Sequence, residues 1–168
     1  MAKVILLIGK LCSGKTTAAD RIVREENAVL ISADEIMQTI FPEPLGEKYD
    51  VYSHRAMKYL YATARRLAAS GVTTVLDWGY WTRASREEAK TELAGLDLDW
   101  RYLEISDEEW HKRIAGRNAA IENGTAGAHA YYVDDGLMQK FTGRFQPPEE
   151  DENLQLTMLS SHQTHRRS

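Results

Sequence analysis

The stretch Gly9-Lys10-Leu11-Cys12-Ser13-Gly14-Lys15-Thr16 follows directly on the apolar run Val4-Ile5-Leu6-Leu7-Ile8, and this pairing decides the fold. The pattern G-x-x-x-x-G-K-T after a short apolar strand is a phosphate cradle. Its two glycines let the chain turn tightly enough for successive backbone N–H groups to converge on an anion. The helix that follows aims its positive dipole end at the same point. Lys15 then supplies a point charge to the β- and γ-phosphates, and the Thr16 hydroxyl can hold Mg²⁺. Thr17-Ala18-Ala19-Asp20-Arg21-Ile22-Val23 continues as a helix with Ala18, Ile22 and Val23 on one side. Gly9, Cys12, Ser13, Gly14, Lys15, Thr16 and Thr17 are therefore the expected contacts of a bound nucleotide.

With 168 residues the chain is long enough to bury a real core, and one domain over residues 1–159 with a polar tail at 160–168 accounts for it. The net charge of −4 carries no global basic footprint, so tight non-specific nucleic-acid binding is not favoured. The apolar run at 4–8 is too short to cross a bilayer and leads straight into the loop, which argues against a membrane helix or a signal peptide. The cytoplasm is the expected compartment. Cys12, the single cysteine, has no partner for an internal disulfide and is expected to pack within the loop.

Apolar runs alternate with helical patterns, which predicts an α/β sheet. Strands are expected at Lys3 to Ile8, Ala28 to Ile31, Thr73 to Leu76 and Leu98 to Ile105, with Leu154 to Met158 as a last short strand. Helices are expected near 15–26, 34–40, 51–69, 83–94 and 106–120. The longest carries Met57, Leu60, Ala64, Leu67 and Ala68 at helical spacing, and Gly71 follows as a stop. The segment from Asn118 to Asp135 loses periodicity between two helical stretches and reads as a mobile flap, a lid over about 117–135.

Ligands of open α/β sheets bind at the carboxyl ends of the strands. Asp34 follows the second strand and Asp77 closes the third. Ser32, Asp34 and Thr82 are also good helix caps, so capping is the competing role for Asp34. In the catalytic reading Asp34 accepts a proton from an attacking hydroxyl, while Asp77 orients Mg²⁺-bound water or holds the substrate. The same positions allow the two roles to be exchanged. Arg113 and Arg117 are four apart on one helix face, just before the flap, where an arginine can neutralise a transferring phosphoryl group. A solvated basic face is the alternative.

These residues together resemble the small P-loop kinase group: the loop, Asp34, the segment Gly71 to Trp81 with Arg83 and Arg86 beyond it, and Arg113-Ile114-x-x-Arg117. That group includes polynucleotide 5′-hydroxyl kinases, chloramphenicol phosphotransferases and zeta-toxin-like kinases. The resemblance spans roughly residues 2–150. It implies a P-loop NTPase fold with a five-stranded parallel sheet in the order 2-3-1-4-5, flanked by helices and carrying a mobile lid. It further implies ATP and Mg²⁺, Asp34 as general base, Arg113 near the adenine and Arg117 near the phosphates. The phage-type polynucleotide kinase has a phosphate-gripping arginine three residues beyond its base, where this chain has Met37.

Trp78, Tyr80 and Trp81 follow Asp77, and Trp81 leads into Arg83 and Arg86. Aromatic rings there suit either a flat acceptor or the core. Asp34, Asp77, Trp78, Trp81 and Arg83 are the expected acceptor contacts, and Thr16 and Asp77 the metal contacts. His54, Arg55 and Tyr59 lie opposite the apolar stripe of the long helix and face either the acceptor or water. Transfer of phosphate from ATP to a hydroxyl of a small molecule is the favoured function. A polynucleotide 5′-hydroxyl kinase and a nucleotide-dependent switch are the competing readings. The oligomeric state is left open.

Overall fold

A computed structural model describes residues 1–127 and 132–160. The elements run β1 (Val4–Ile8), α1 (Lys15–Glu26), β2 (Val29–Ser32), α2 (Ala33–Ile40), α3 (Tyr49–Ala69), β3 (Thr74–Gly79), α4 (Arg83–Glu92), β4 (Leu98–Glu104), α5 (Asp107–Glu122), α6 (Asp135–Arg144) and β5 (Leu156–Ser160). Short 3₁₀ turns lie at Gly46–Lys48 and Glu150–Glu152. Among the described residues the strands form one parallel sheet in the order β2-β3-β1-β4-β5, as the resemblance implied.

The apolar run that opens the chain becomes the middle strand because it can be covered on both faces. All five of its residues are fully buried. Val4, Leu6 and Ile8 join a cluster with Met57, Leu60 and Ala64 of α3. Ile5 and Leu7 point the other way, onto Ala19 and Ile22 of α1. The strand that delivers the loop is thus the most deeply buried of the five described strands. Among the described residues no helix is long and apolar enough to cross a membrane.

Several boundaries differ from expectation. β3 extends past Leu76 to Gly79, so Asp77 and Trp78 lie within the strand. Its register against β1 shifts there, with Leu7 opposite Asp77 but Ile8 opposite Gly79. Such a bulge re-aims side chains at a strand end. β5 begins two residues later than expected, because its pairing starts where Leu156 meets Trp100 of β4. Helix α5 runs on to Glu122, so the first third of the expected lid is helical. The return of that segment is also anchored. The amide of Asn118 donates to the Val133 carbonyl (2.8 Å) and its Oδ1 accepts from the Val133 N–H (2.9 Å), while Val133 packs with Trp110 and Ile114. Residues 128–131 of the expected lid, and 161–168 of the expected tail, lie outside the described residues.

Arg86, one of the residues that carry the resemblance, is fully buried in an ion pair with Glu152 (2.6 Å, both side chains 0% exposed). Its guanidinium also donates to the carbonyls of Tyr80 (3.0 Å) and Gln146 (2.9 Å). In return it holds the Glu152 carboxyl below the usual carboxylate range. Removing one partner of a buried pair strands the other charge, whereas replacing both by apolar groups does not. Glu152→Gln is therefore expected to lower stability in urea unfolding by about 3–5 kcal/mol. The double variant Arg86→Met/Glu152→Leu should recover most of that loss.

Candidate active site

The phosphate loop is built around contacts that exclude larger residues. A Cβ on Gly9 would lie 2.6 Å from the Ser13 Oγ. Gly14 (φ 97°) opens α1 with no side-chain cap, which leaves the first N–H groups of the helix for a ligand. Ser13 is fully buried, and among the described residues its Oγ has no hydrogen-bond partner. The Lys15 ammonium donates to the carbonyls of Gly9 (3.0 Å) and Lys10 (2.9 Å), folded back onto its own loop.

A cleft of about 540 Å³ adjoins the loop, lined by Lys15, by Asp34 from α2 and by Asp77 from β3. Asp34 is not used as a cap. The Ser32 hydroxyl caps α2 by accepting from the Glu35 N–H (3.3 Å), and Asp34 in the first turn is left to face the cleft. Burial lowers the Lys15 pKa, and the nearby Asp77 and Asp34 carboxylates work against that shift. Burial raises the pKa of Asp34, opposed by Lys15. Asp77 is raised likewise by burial; Lys15 opposes this, and the charges of Asp34 and Asp20 add to it. Two acids and one lysine thus line one cleft, where burial works against each charge and the opposite charges offset it in part.

The residues suit a nucleotide with a hard divalent cation. An orphaned buried hydroxyl at Ser13, open helix N–H groups and a desolvated lysine suit phosphate oxygens. Thr16 on the first turn of α1 and Asp77 offer the oxygen ligands that Mg²⁺ prefers.

Trp81 joins the cleft wall to the loop. Its indole N–H donates to the Gly9 carbonyl (2.9 Å), the same oxygen that holds Lys15, and the Gly9 N–H donates to the Gly79 carbonyl (3.1 Å). Gly79 sits at φ 96°, and a Cβ there would meet the Trp81 Nε1 at 2.7 Å. Trp78 lines the cleft while also packing on the core. Tyr80 is wholly buried, edge-on to Trp100 at 5.4 Å.

Both arginines of α5 reach the loop. Arg113 donates to the Ser13 carbonyl (3.1 Å) and to Glu109 (2.9 Å), and Arg117 donates to the Cys12 Sγ (3.3 Å). Arg83 stands apart from the cleft lining, because Asp151 (2.8 Å) and Glu149 (3.5 Å) hold its guanidinium. His54 lies 3.7 Å from Glu88 on α4, Arg55 covers the Tyr52 ring and Tyr59 is exposed, so none of the three lines the cleft. Met37 is buried and likewise absent from the lining. Sequence reading missed Tyr49, Thr82, Ser85, Phe141 and Arg144, which do line it. The Phe141/Arg144 spacing, one helical turn, was the available signal for α6.

Residues 4–148 match the model of a family described as an AAA domain, AAA_33. A shikimate kinase of Corynebacterium glutamicum is 26% identical over 118 residues, covering 69% of this chain and 66% of that protein. The chain thus spans just under two thirds of that relative's length. A putative kinase from Chloroflexus aurantiacus superposes with a TM-score of 0.71 at 18% identity, covering 95% of this chain and 88% of that one. The Mycobacterium tuberculosis APS kinase, solved with AMPPNP and APS, gives a TM-score of 0.64 at 19% identity, covering 97% and 93%. With 4–148 inside the family model, this chain belongs to the AAA domain family and has the fold of the small P-loop kinase group.

Proposed function

We propose that the protein transfers the γ-phosphoryl group of ATP to a hydroxyl of a small molecule. One observation carries this reading: the uncommitted Asp34 carboxylate and the loop lysine line a single aromatic-walled cleft. A nucleotide-dependent switch needs the lysine but not a second wall shaped for an acceptor. The relatives named as shikimate and APS kinases support the same class of reaction.

In this mechanism the loop N–H groups and Lys15 take the β- and γ-phosphates, and Lys15 exchanges the Gly9 and Lys10 carbonyls for phosphate oxygens. An acceptor hydroxyl between Asp34 and the γ-phosphorus passes its proton to the Asp34 carboxylate. Its oxygen bonds to phosphorus as the bond to ADP breaks. Burial raises the Asp34 pKa above the ordinary carboxylate range, and a more basic carboxylate is a stronger proton acceptor. Arg117, beside the loop at Cys12, is placed to offset charge on the moving phosphoryl group. Thr16 and Asp77 would hold a Mg²⁺ ion, which would supply further neutralisation of phosphate charge. Met37 is buried where an arginine would grip a polynucleotide phosphate, which favours a small acceptor.

Lys15→Ala should abolish transfer and weaken ATP binding, measured by labelled-ATP transfer and calorimetry; unchanged turnover would remove the central claim. Asp34→Asn should bind ATP nearly normally yet lose transfer by about two to four orders of magnitude, the range of a positioned base. If Asp77→Asn alone is inactive, the base is Asp77. Robust phosphorylation of oligonucleotide 5′ ends in preference to small hydroxyl compounds would reverse the choice of acceptor class.

The raised Asp34 pKa also has a sign in stability. The folded state holds the proton more tightly than the unfolded chain, so stability falls as pH rises from the ordinary carboxylate range through the native pKa. Asp34→Asn should accordingly raise Tm at neutral pH. The gain should shrink as pH is lowered into and below the ordinary carboxylate range, as thermal melts across that window would record.

A further inference from the structure

Before its ammonium can reach a phosphate, Lys15 must leave two carbonyl oxygens, those of Gly9 and Lys10. Each of them has a second donor. The Lys10 carbonyl also accepts from the Ser13 N–H (3.2 Å), a backbone bond within the loop. The Gly9 carbonyl also accepts from the indole N–H of Trp81, a side chain 72 residues further along the chain. Lys15 and Trp81 are its two donors among the described residues, and Gly9 is buried. The backbone is bent to bring the indole there. Gly79 (φ 96°) and Tyr80 (φ 46°) are successive left-handed residues, a conformation that a bulky side chain seldom adopts and that is kept where the surroundings demand it. The Phe141 ring, edge-on at 5.1 Å, packs on the indole from α6.

We propose that Trp81 is a positioning residue for the phosphate chain: its indole N–H keeps the Gly9 carbonyl paired while Lys15 moves to the β- and γ-phosphates, so that the lysine can leave without orphaning its own loop. This rests on the nucleotide-binding half of the phosphotransferase reading and is independent of the acceptor. Without nucleotide, either donor satisfies the oxygen. With Lys15 on a phosphate, only Trp81 does, and a buried carbonyl stripped of its donor carries its full desolvation penalty. The Lys10 carbonyl faces no such choice, because its second donor is part of the loop itself. Trp81 therefore matters to nucleotides that draw Lys15 away and not to those that leave it in place.

The test uses Trp81→Phe, which removes the N–H and keeps an aromatic ring against Phe141. Calorimetry on the full chain with Mg²⁺ compares ADP with AMP, whose lone phosphate leaves Lys15 on the loop because the lysine reaches only the β- and γ-phosphates. Trp81→Phe should weaken ADP binding by about tenfold, the scale of a buried carbonyl left without a donor, and leave AMP binding unchanged. A loop merely deformed by the smaller ring would lose both nucleotides alike, and that result overturns the proposal. So does an ADP affinity equal to that of wild type. Urea unfolding without nucleotide, on wild type, Lys15→Ala, Trp81→Phe and the double variant, gives a second reading. Each single variant leaves the Gly9 carbonyl one donor and the double variant leaves none, so its loss of stability should exceed the two single losses combined. Additive losses overturn the pairing of the two donors. A wild type that binds neither nucleotide would instead remove the nucleotide reading itself, whereas tight wild-type ADP binding with equal losses for ADP and AMP removes only the role of Trp81.

Discussion

The carbonyl oxygen of Gly9 accepts hydrogen bonds from both Lys15 and Trp81. Around that one atom the phosphate loop and the second wall of the cleft become a single assembly. The rest of the architecture serves to hold it still. β1 is buried on both faces and fixes where the loop begins, the bulge in β3 brings Gly79 beside Gly9, and the absence of a Cβ at Gly79 lets the indole lie against the loop. α6 then closes on the indole through Phe141.

The same region concentrates unfavourable charge. Burial works against ionised Lys15, Asp34 and Asp77 alike, and their mutual contacts offset it only in part. Proteins commonly give up stability at sites where a ligand will later supply the missing partners. Elsewhere charges are closely matched. Lys3, Glu26, Asp99 and Arg101 form one network at the opposite end of the central strands, and Arg86 with Glu152 forms a buried pair. The contrast between matched and unmatched clusters separates what holds the fold from what is left for chemistry.

Much of this was legible in the chain. A strand followed by a glycine loop and a helix is a local pattern, and so is the stripe Met57, Leu60, Ala64 of α3; both fix their elements before any long-range contact forms. Asp34 and Asp77 could be placed because strand ends converge in this topology. The illegible parts depend on pairing between distant segments. The length of β3 is set by its register on β1, which no window of the sequence contains. Arg83 looked like an acceptor ligand because it follows Trp81, yet it is captured, as Arg86 is, by a segment more than sixty residues away. Arg144 entered the cleft by the converse route, through a helix remote in sequence.

That capture also orders the synthesis of the molecule. β1 precedes its partner strands in the chain but occupies the centre of the sheet, so Val4 must wait for Thr74 on one side and Leu98 on the other. Arg86 waits longer still, since Glu152 is nearly the last described residue before β5. Until that turn emerges, α4 carries an arginine with nowhere to put its charge, and the nascent chain cannot seal the core beneath it. Closure of the core beneath α4 therefore waits on the Glu150–Glu152 turn, and a chain without that turn leaves Arg86 buried and unpaired.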